Sequence, residues 1–355
     1  MKTNKRAHLD KSEVVKEMPL VCSNEALAVE FFERKIWSGT PKCPHCQSAN
    51  VYKMVDAETG ERNKRFLWRC HDCKKQFTVR VGTVLEESRI PLRHWAYAFW
   101  RAVTSKKGVS ALEIKRQCQI SYPSALFLLH RIRYAMTPGS GPKLKGVIEA
   151  DETYVGGKPR PGDGKVHKRG RGTNKSPVFA IVERNGSIRR RVVPNVSGKT
   201  LRSAMQECVD PNARIITDEL SAYNGLAGLF AGGHEVVQHS IGEYARGDVN
   251  TNTAESSFAI LKRGITGIYH AVSKKHLHRY VGEFDFRWNT RKLNDGERTM
   301  EAIRGASGKR LSYLNLVSTS EPPSDTNPNV RKAKKRQIRR VYVLKSPVRN
   351  FKRTA

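Results

Sequence analysis

Apolar residues recur along the chain with two different spacings, and the change of spacing divides the sequence into two regions. Between residues 92 and 136 the apolar spacing is three or four residues, as from Trp95 to Ala98 or Phe99, which predicts helices. After a stretch rich in Pro and Gly at 137–142, shorter apolar runs bounded by turn residues are typical of strands. We therefore expect a helical region followed by an α/β domain.

Two serines mark the starts of consecutive helices within the helical region. Ser110 and Ser121 are each placed to cap a helix, and the two helices together cover about 111–134. Such a pair resembles a helix-turn-helix, whose second helix would carry Arg131 and Arg133 into the major groove of DNA. The alternative is an ordinary helical hairpin with a solvated basic face.

Strand and helix signals alternate in the second part of the chain. The turn at 184–187 contains Asn and Gly and joins two strands as a hairpin. The predicted strands cover 147–155, 178–183, 188–193, 215–218 and 234–238. The predicted helices cover 200–209, 253–265 and 274–291. These elements predict an α/β fold with a mixed sheet and flanking helices.

Two cysteine pairs near the start of the chain have the spacing of a metal site. They are Cys43-Pro44-His45-Cys46 and Cys70-His71-Asp72-Cys73. Two such pairs can place four thiolates around one structural Zn²⁺, which predicts a zinc ribbon. One of the histidines could replace a cysteine as ligand, and disulfides are the alternative in a secreted protein.

The net charge of the chain limits the kinds of molecule that it is expected to bind. Lys and Arg number 65 against 33 Asp and Glu in 355 residues, so the formal net charge is +32. This charge favours polyanions such as nucleic acid, although an anionic membrane surface or a ribosomal role would also fit. We find no apolar stretch of membrane-spanning length and no signal peptide at 1–20, so we expect a cytoplasmic protein of the bacterial nucleoid without membrane partners.

Two aspartates lie in apolar runs that are predicted as strands. On the first strand, Glu149 and Asp151 share one face and Glu152 points to the other. Burying carboxylates in an apolar strand costs free energy unless a cation compensates their charge. The pattern therefore favours a metal site. The pattern alone leaves Glu152 as a rival of Asp151, and Glu219 as a rival of Asp218.

A third acid, Glu255, lies in the first turn of a predicted helix. The sequence Asn252-Thr253-Ala254-Glu255 also matches a capping box, in which the glutamate would only bond backbone amides. Glu243, Asp248 and Glu283 are further candidates for a third carboxylate. The pattern leaves these alternatives open.

The helix of Glu255 has an apolar stripe and a polar edge beside it. The stripe consists of Ala254, Phe258, Leu261 and Ile265. Glu255, Ala259 and Lys262 lie along one line beside the stripe. A helix packed on a sheet could thus present an acid that binds metal and a lysine that binds a phosphate of the same substrate.

Several stretches, taken in order and spacing, resemble the DDE-type insertion-sequence transposases, in particular the subgroup with an N-terminal zinc ribbon. They are 148–158 (IEADETYVGGK), 217–218 (TD), 252–255 (NTAE), 261–270 (LKRGITGIYH) and 287–291 (RWNTR). The resemblance implies a ribonuclease-H-like domain in which Asp151, Asp218 and Glu255 bind magnesium and Lys262 contacts substrate. The resemblance therefore favours these ligands over the alternative acids Glu152, Glu219 and Glu283.

The resemblance also implies an activity and its partners. Two Mg²⁺ or Mn²⁺ ions per active site would promote hydrolysis at the element end and then attack of the freed 3′-hydroxyl on target DNA. We expect double-stranded DNA as partner, both terminal repeats and target, and a homodimer or larger assembly. Expected DNA contacts are Arg131, Arg133, Lys262 and Arg263. The alternatives are a non-catalytic regulator derived from a transposase and a structure-specific nuclease of the same fold.

The expected domain order follows from these features. It is a flexible N-terminus at 1–20, a zinc ribbon with a leading helix at 21–85, a helix-turn-helix-like DNA-binding region at 86–137, a catalytic domain at 143–318, and a linker with a basic disordered tail at 319–355. The basic loop at 156–175 and the tail would contact the DNA backbone independently of sequence.

Overall fold

A computed structural model of the chain describes residues 13–39, 41–137, 139, 141–157, 175–243 and 245–317. Most of the basic loop predicted at 156–175, and the basic tail predicted at 319–355, lie outside these described residues. The chain divides into one unit that ends at Leu311 and a second that begins at Ser312.

Two helices precede the cysteine motifs, and only the second was predicted. Helix α1 (Glu13–Ser23) is followed by α2 (Glu25–Trp37), and Asn24 between them caps α2 with its side chain. The prediction of a flexible segment at 1–20 is wrong where the structure describes it. Pro19 inside α1 disfavours a helix locally, but burial of one face stabilises it. The buried residues are Val14, Met18 and Val21.

The segment with the cysteine pairs forms a small antiparallel sheet. Its strands are β1 (Val51–Lys53), β2 (Trp68–Cys70) and β3 (Gln76–Phe77), in that order. Trp68 and Phe77 lie opposite each other on adjacent strands and are buried. These short strands agree with the predicted ribbon.

The predicted helical region contains three helices, α3 (Leu92–Thr104), α4 (Ala111–Cys118) and α5 (Tyr122–Met136). Both predicted caps are confirmed. The hydroxyl oxygens of Ser110 and Ser121 accept hydrogen bonds from backbone amides in the first turns of α4 and α5, at 3.1 and 3.3 Å.

The remainder of the first unit is built on a five-stranded mixed sheet with the order β6-β5-β4-β7-β8. The strands are β4 (Val147–Val155), β5 (Ser176–Glu183), β6 (Ile188–Val192), β7 (Arg214–Asp218) and β8 (His234–Val237). Strands β4, β5 and β6 are antiparallel, whereas β7 and β8 run parallel to β4. The helices are α6 (Gly198–Cys208), α7 (Asn252–Gly264), α8 (Leu277–Asn289) and α9 (Asp295–Arg304). This arrangement confirms the predicted ribonuclease-H-like mixed sheet with flanking helices.

Helices cover both faces of the sheet. On one face Ile148, Ala150 and Phe179 share a core with Leu201 and Met205 of α6. On the other face, alternate residues of β5 pack against α7 and α8. Because β4 and β5 are covered on both sides, any carboxylate on them must be compensated within the protein or by a bound cation.

Helix α9, which the sequence analysis did not predict, packs against the first helices. Ala302 and Ile303 lie in one buried cluster with Phe32, Trp95 and Phe99. The helical region and the C-terminal helices of the first unit therefore share a core. The predicted boundary near 137–143 separates these elements in sequence but does not separate their cores.

The second unit is described only at its start, where α10 (Tyr313–Val317) forms a short helix. Among the described residues, no helix is both long and apolar enough to cross a membrane.

A buried ion pair joins α5 to α8. The Arg133 guanidinium donates from Nε to the Glu283 carboxylate at 2.7 Å, and their side chains are 3% and 2% exposed. Arg287 donates to the same carboxylate at 2.7 Å. Glu283 therefore holds two cations in a site that excludes water.

Replacing the Glu283 carboxylate should lower the stability of the folded protein. We expect Glu283→Gln to lower the free energy of unfolding by about 3–5 kcal/mol, because it leaves buried guanidinium charge uncompensated. Urea denaturation measures the change. Glu207→Gln, which breaks an exposed pair with Arg191, is the control and should cost less than about 1 kcal/mol. Equal losses in the two variants would contradict this account.

Candidate active site

The parallel pairing of β4 with β7 places Asp151 beside Asp218. The last paired residues are Ala150 and Thr217, so the next residue on each strand is an aspartate. Matching positions on neighbouring parallel strands point to the same face of a sheet. One carboxylate oxygen from each aspartate and one from Glu152 lie within 4.8 Å of one another. The two aspartates predicted as ligands are therefore brought together.

The electrostatics of Asp151 reflect this crowding. Burial, followed by the negative charge of Asp218, raises the pKa of Asp151 to about 7, and the charges of Glu152 and Glu255 act in the same direction. The backbone N–H of Glu152 donates to Oδ1 of Asp151 at 2.7 Å and opposes the rise. Oxygen donors crowded in this way match the preference of hard divalent cations such as Mg²⁺ or Mn²⁺.

Glu152 lies nearer to the aspartates than strand alternation predicts. It belongs to the face of β4 that packs on α6, where its Oε2 accepts a hydrogen bond from the Tyr223 hydroxyl at 2.8 Å. Burial and the charge of Glu152 hold the pKa of Tyr223 well above its ordinary value, so the hydroxyl keeps its proton. The ladder with β7 ends one residue before Asp151, so both side chains can approach the end of β7. Glu152 therefore remains a candidate ligand.

Glu255 and Lys262 lie on the exposed edge of α7. The predicted apolar stripe of this helix is confirmed, and its members are Ala254, Phe258, Leu261 and Ile265. Glu255 is close enough to raise the pKa of Asp151, but it lies outside the group of three carboxylates within 4.8 Å. Lys262 and Arg263 are exposed in the last turn of the same helix.

The predicted alternative for Glu255, a capping box, is wrong. Helix α7 begins after Thr251, and no side chain within 252–255 caps it. A carboxylate from the sheet does so, because Glu149 accepts the backbone N–H groups of Thr253 and Ala254 at 2.8 and 3.0 Å. Among the described residues, the side chain of Glu255 has no hydrogen-bond partner, so its carboxylate remains available for a metal ion.

The other acids that the sequence left open have partners within the protein. Glu219 accepts from Ser240, Asp248 pairs with Arg214, Glu243 pairs with Arg246, and Glu283 pairs with Arg133 and Arg287. Their contacts give these acids structural roles at the ends of β7 and β8, in the loop before α7, and in α8.

Two of the predicted DNA contacts are not on the surface. Arg131 and Arg133 are each 3% exposed. Arg131 donates to the backbone oxygen of Leu311 at 3.0 Å, and Arg133 is held by Glu283. The expectation that they form an exposed basic face on α5 is wrong, because this side of the helix packs against the end of the chain's first unit and against α8. Neither side chain is exposed enough to contact DNA.

The four predicted zinc ligands converge in the small sheet. One sulfur from each of Cys43, Cys46, Cys70 and Cys73 lies within 4.8 Å of the other three. Two of the sulfur pairs are in contact, Cys43–Cys73 at 3.5 Å and Cys46–Cys70 at 3.6 Å. Four thiolates on two tight turns are the donor set of a structural zinc site, so the cluster supports a bound zinc ion.

Two residues near the site were not identified from the sequence. Tyr223, which bonds Glu152, comes from a turn after β7. Arg184, which bonds Glu149 at 2.9 Å, belongs to the predicted hairpin turn. Both contacts join segments far apart in the chain, and no local pattern indicates them. The only available signal was that Glu149 shares a strand face with Asp151.

Comparison with known proteins agrees with this geometry. Residues 143–289 match an ISXO2-like transposase domain, and residues 23–76 match a transposase zinc-ribbon domain. Together, the fold, the carboxylate cluster and the zinc ribbon are those of one class of proteins, the DDE-type transposases with an N-terminal zinc ribbon. Within that class, the two matched domains are those of the IS1595-type transposases.

Two individual proteins are similar to this chain. A Halobacterium salinarum protein, described as an uncharacterized protein in transposable element ISH50, is 29% identical over 276 residues, which cover 74% of this chain and 90% of the relative. The solved Mos1 transposase paired-end complex with left transposon end matches at 11% identity and a TM-score of 0.19, over 53% of this chain and 74% of that one. That TM-score is too low to support any argument about the fold.

Divalent cation binding should strengthen as the pH rises toward 7. The pKa of Asp151, about 7, lies above the ordinary 3.8, so below pH 7 a cation must displace a proton that the folded chain holds. We expect Mn²⁺ affinity to rise about tenfold per pH unit below the pKa and to level off above it. Calorimetry in buffers of different ionisation enthalpy measures both affinity and proton release. Constant affinity between pH 5 and 8 would contradict this assignment.

The ribbon should depend on zinc. Its buried core is small, so we expect chelation to unfold it and to change the fluorescence of Trp68, whose ring lies 5.4 Å from that of Trp37. Metal analysis should find about one zinc per chain in the parent and none in Cys70→Ser. Cys208→Ser, a buried cysteine outside the cluster, is the control and should keep its zinc. Zinc retained by both variants would rule out this site.

Proposed function

We propose that this protein is a DNA transposase that cuts and joins DNA strands with two divalent cations held by Asp151, Asp218 and Glu255. The observation that carries the proposal is the convergence of two aspartates where the parallel β4–β7 ladder ends. A glutamate of α7 lies close by and has no hydrogen-bond partner among the described residues. The matches of residues 143–289 and 23–76 to transposase domains support the same function.

The donor set fits Mg²⁺ or Mn²⁺, and each residue has a distinct role. When bound, the cations supply an activated oxygen nucleophile and stabilise the leaving oxygen at phosphorus. Asp151 and Asp218, fixed by the β4–β7 ladder, hold the shared part of the site. Glu255 closes the site from the helix side. Lys262, two turns further along the same edge, contacts a phosphate of the substrate and keeps the DNA strand aligned.

The DNA partners are the terminal repeats of the element and the target duplex. The net charge of +32 favours both through phosphate contacts. Arg263 lies beside Lys262 on the exposed side of α7 and contributes a backbone contact. The zinc ribbon and the helices α4 and α5 would hold the repeats. Since two element ends must meet, the active assembly is a homodimer or larger.

A second assignment of the third ligand has its own support. Glu152 lies within 4.8 Å of both aspartates, closer than Glu255 does. It would complete a site within the sheet without any help from α7. The hydrogen bond from Tyr223 occupies one of its oxygens. This favours Glu255 as the ligand, since no described residue bonds either of its carboxylate oxygens.

Strand transfer by the purified full chain, with labelled element ends and Mg²⁺, tests these roles. We expect Asp218→Asn and Glu255→Gln each to slow both cleavage and joining about a thousand-fold, because a misplaced cation forfeits several kcal/mol of transition-state stabilisation. Lys262→Ala should reduce the rate less and raise the DNA concentration required. Glu219→Gln, next to Asp218 but bonded to Ser240, is the matched control and should stay near the parent.

Other outcomes would point to other functions. Cleavage of junctions or hybrids without a joined product would indicate a structure-specific nuclease. Binding of element ends without either reaction would indicate a regulator. Loss of activity in Glu152→Gln with full activity in Glu255→Gln would move the third ligand to β4.

A further inference from the structure

We infer that Glu149 is a positioning residue that fixes the place of Glu255 relative to Asp151, and that Arg184 assists it. The inference rests on the proposed function, because it assigns a role in holding that metal site together. Glu149 itself does not touch the metal, the substrate or the reacting atoms.

The carboxylate of Glu149 is fully engaged by the start of α7. Its Oε2 accepts the backbone N–H groups of Thr253 at 2.8 Å and Ala254 at 3.0 Å. Its Oε1 accepts the hydroxyl of Thr253 at 2.8 Å and Nε of Arg184 at 2.9 Å. The residue is 0% exposed. Four donors thus hold one buried carboxylate in a single orientation.

Arg184 extends this contact to the segment that leads into α7. Its Nη1 donates to the backbone oxygen of Asp248 at 2.8 Å, and its Nη2 donates to that of Asn250 at 3.1 Å. One guanidinium therefore joins the buried carboxylate to the chain just before the helix. Together, Glu149 and Arg184 fix both the approach to α7 and its first turn.

The spacing of these contacts links the two halves of the site. Glu149 lies two residues before Asp151 on the same face of β4, a separation of about 7 Å along a strand. Thr253 lies two residues before Glu255 on α7. One carboxylate therefore connects the strand that carries one proposed ligand to the helix that carries another, each time at a distance of two residues.

The charge of Glu149 is needed for this role. A carboxylate can accept all four hydrogen bonds, whereas a glutamine keeps one accepting oxygen and turns an NH₂ group toward the remaining donors. A negative charge at a helix start is also favoured by the helix dipole. Glu149→Gln should therefore loosen the first turn of α7 while changing the volume of the side chain very little.

Metal affinity reports such a change directly. Groups that orient metal ligands typically alter metal affinity or activity by about 10–100-fold when they are replaced. With the full chain, its zinc retained and Mn²⁺ as the probe, we expect Glu149→Gln to weaken Mn²⁺ binding about tenfold. Strand cleavage should fall at limiting Mn²⁺ and recover in part at high Mn²⁺, because the ligands themselves remain.

A second helix cap from a distant carboxylate, here a half-buried one, provides the control. Glu25 accepts the backbone N–H groups of Leu92 and Arg93, at the start of α3, at 2.8 and 3.0 Å. Helix α3 carries no proposed ligand. Glu25→Gln should therefore lower thermal stability without changing Mn²⁺ affinity. Equal Mn²⁺ affinities for Glu25→Gln and Glu149→Gln would overturn the inference.

The failure of this inference is distinguishable from failure of the proposed function. Glu255→Gln should weaken Mn²⁺ binding, and adding Glu149→Gln should weaken it little further, since Glu149 acts through Glu255. If Glu255→Gln leaves Mn²⁺ affinity unchanged, the proposed ligand set is wrong and the inference is overturned with it. If Glu255→Gln weakens binding but Glu149→Gln does not, only the inference is overturned.

If Glu149→Gln does not fold, a variant that removes only one of the four hydrogen bonds tests the same inference. Thr253→Val removes the hydroxyl that donates to Glu149 and leaves the backbone N–H bonds in place. It should weaken Mn²⁺ binding severalfold, in the same direction and by less than Glu149→Gln. Parent-like Mn²⁺ affinity in a folded Thr253→Val protein would then contradict the inference.

Discussion

The parallel ladder between β4 and β7 is the constraint on which the candidate site depends. It ends at Ala150 and Thr217, and the next residue on each strand is an aspartate. Asp151 is half-buried, and burial together with the charge of the neighbouring Asp218 raises its pKa to about 7. A site that concentrates negative charge in this way sacrifices stability in the metal-free chain, as functional sites commonly do.

The second part of the site is a helix held against the sheet by buried polar contacts as well as by its apolar stripe. Besides the cap from Glu149, the Arg190 guanidinium donates to Asp285 of α8 at 2.7 Å and to the backbone oxygen of Ser257 in α7 at 3.1 Å. Strand β6 therefore joins both helices at once. Such contacts hold α7 in one place, so that Glu255 can lie at the edge of the carboxylate cluster while remaining exposed.

Local patterns were sufficient for much of this structure. The four cysteines, the serine caps and the stripe on α7 follow from spacing, because each depends on near neighbours in the chain. Contacts between distant segments were not predictable in this way. Pro19 disfavours α1, which tertiary burial stabilises. Arg131 and Arg133 look like a solvated face until the segment at Leu311 and helix α8 are packed on them. Glu152 approaches the aspartates because the β4–β7 ladder ends there, and alternation alone does not reveal this.

The central claim is that the cations are held between the sheet and α7. The most direct test is a crystal structure of the chain bound to an element end with Mn²⁺, in which anomalous scattering locates the ions. The account predicts two ions about 3.5–4 Å apart, with Asp151 and Asp218 as ligands and a bond to Glu255. Ions bound by Asp151, Glu152 and Asp218 with Glu255 left free, or no ion beside Asp151 and Asp218, would contradict it.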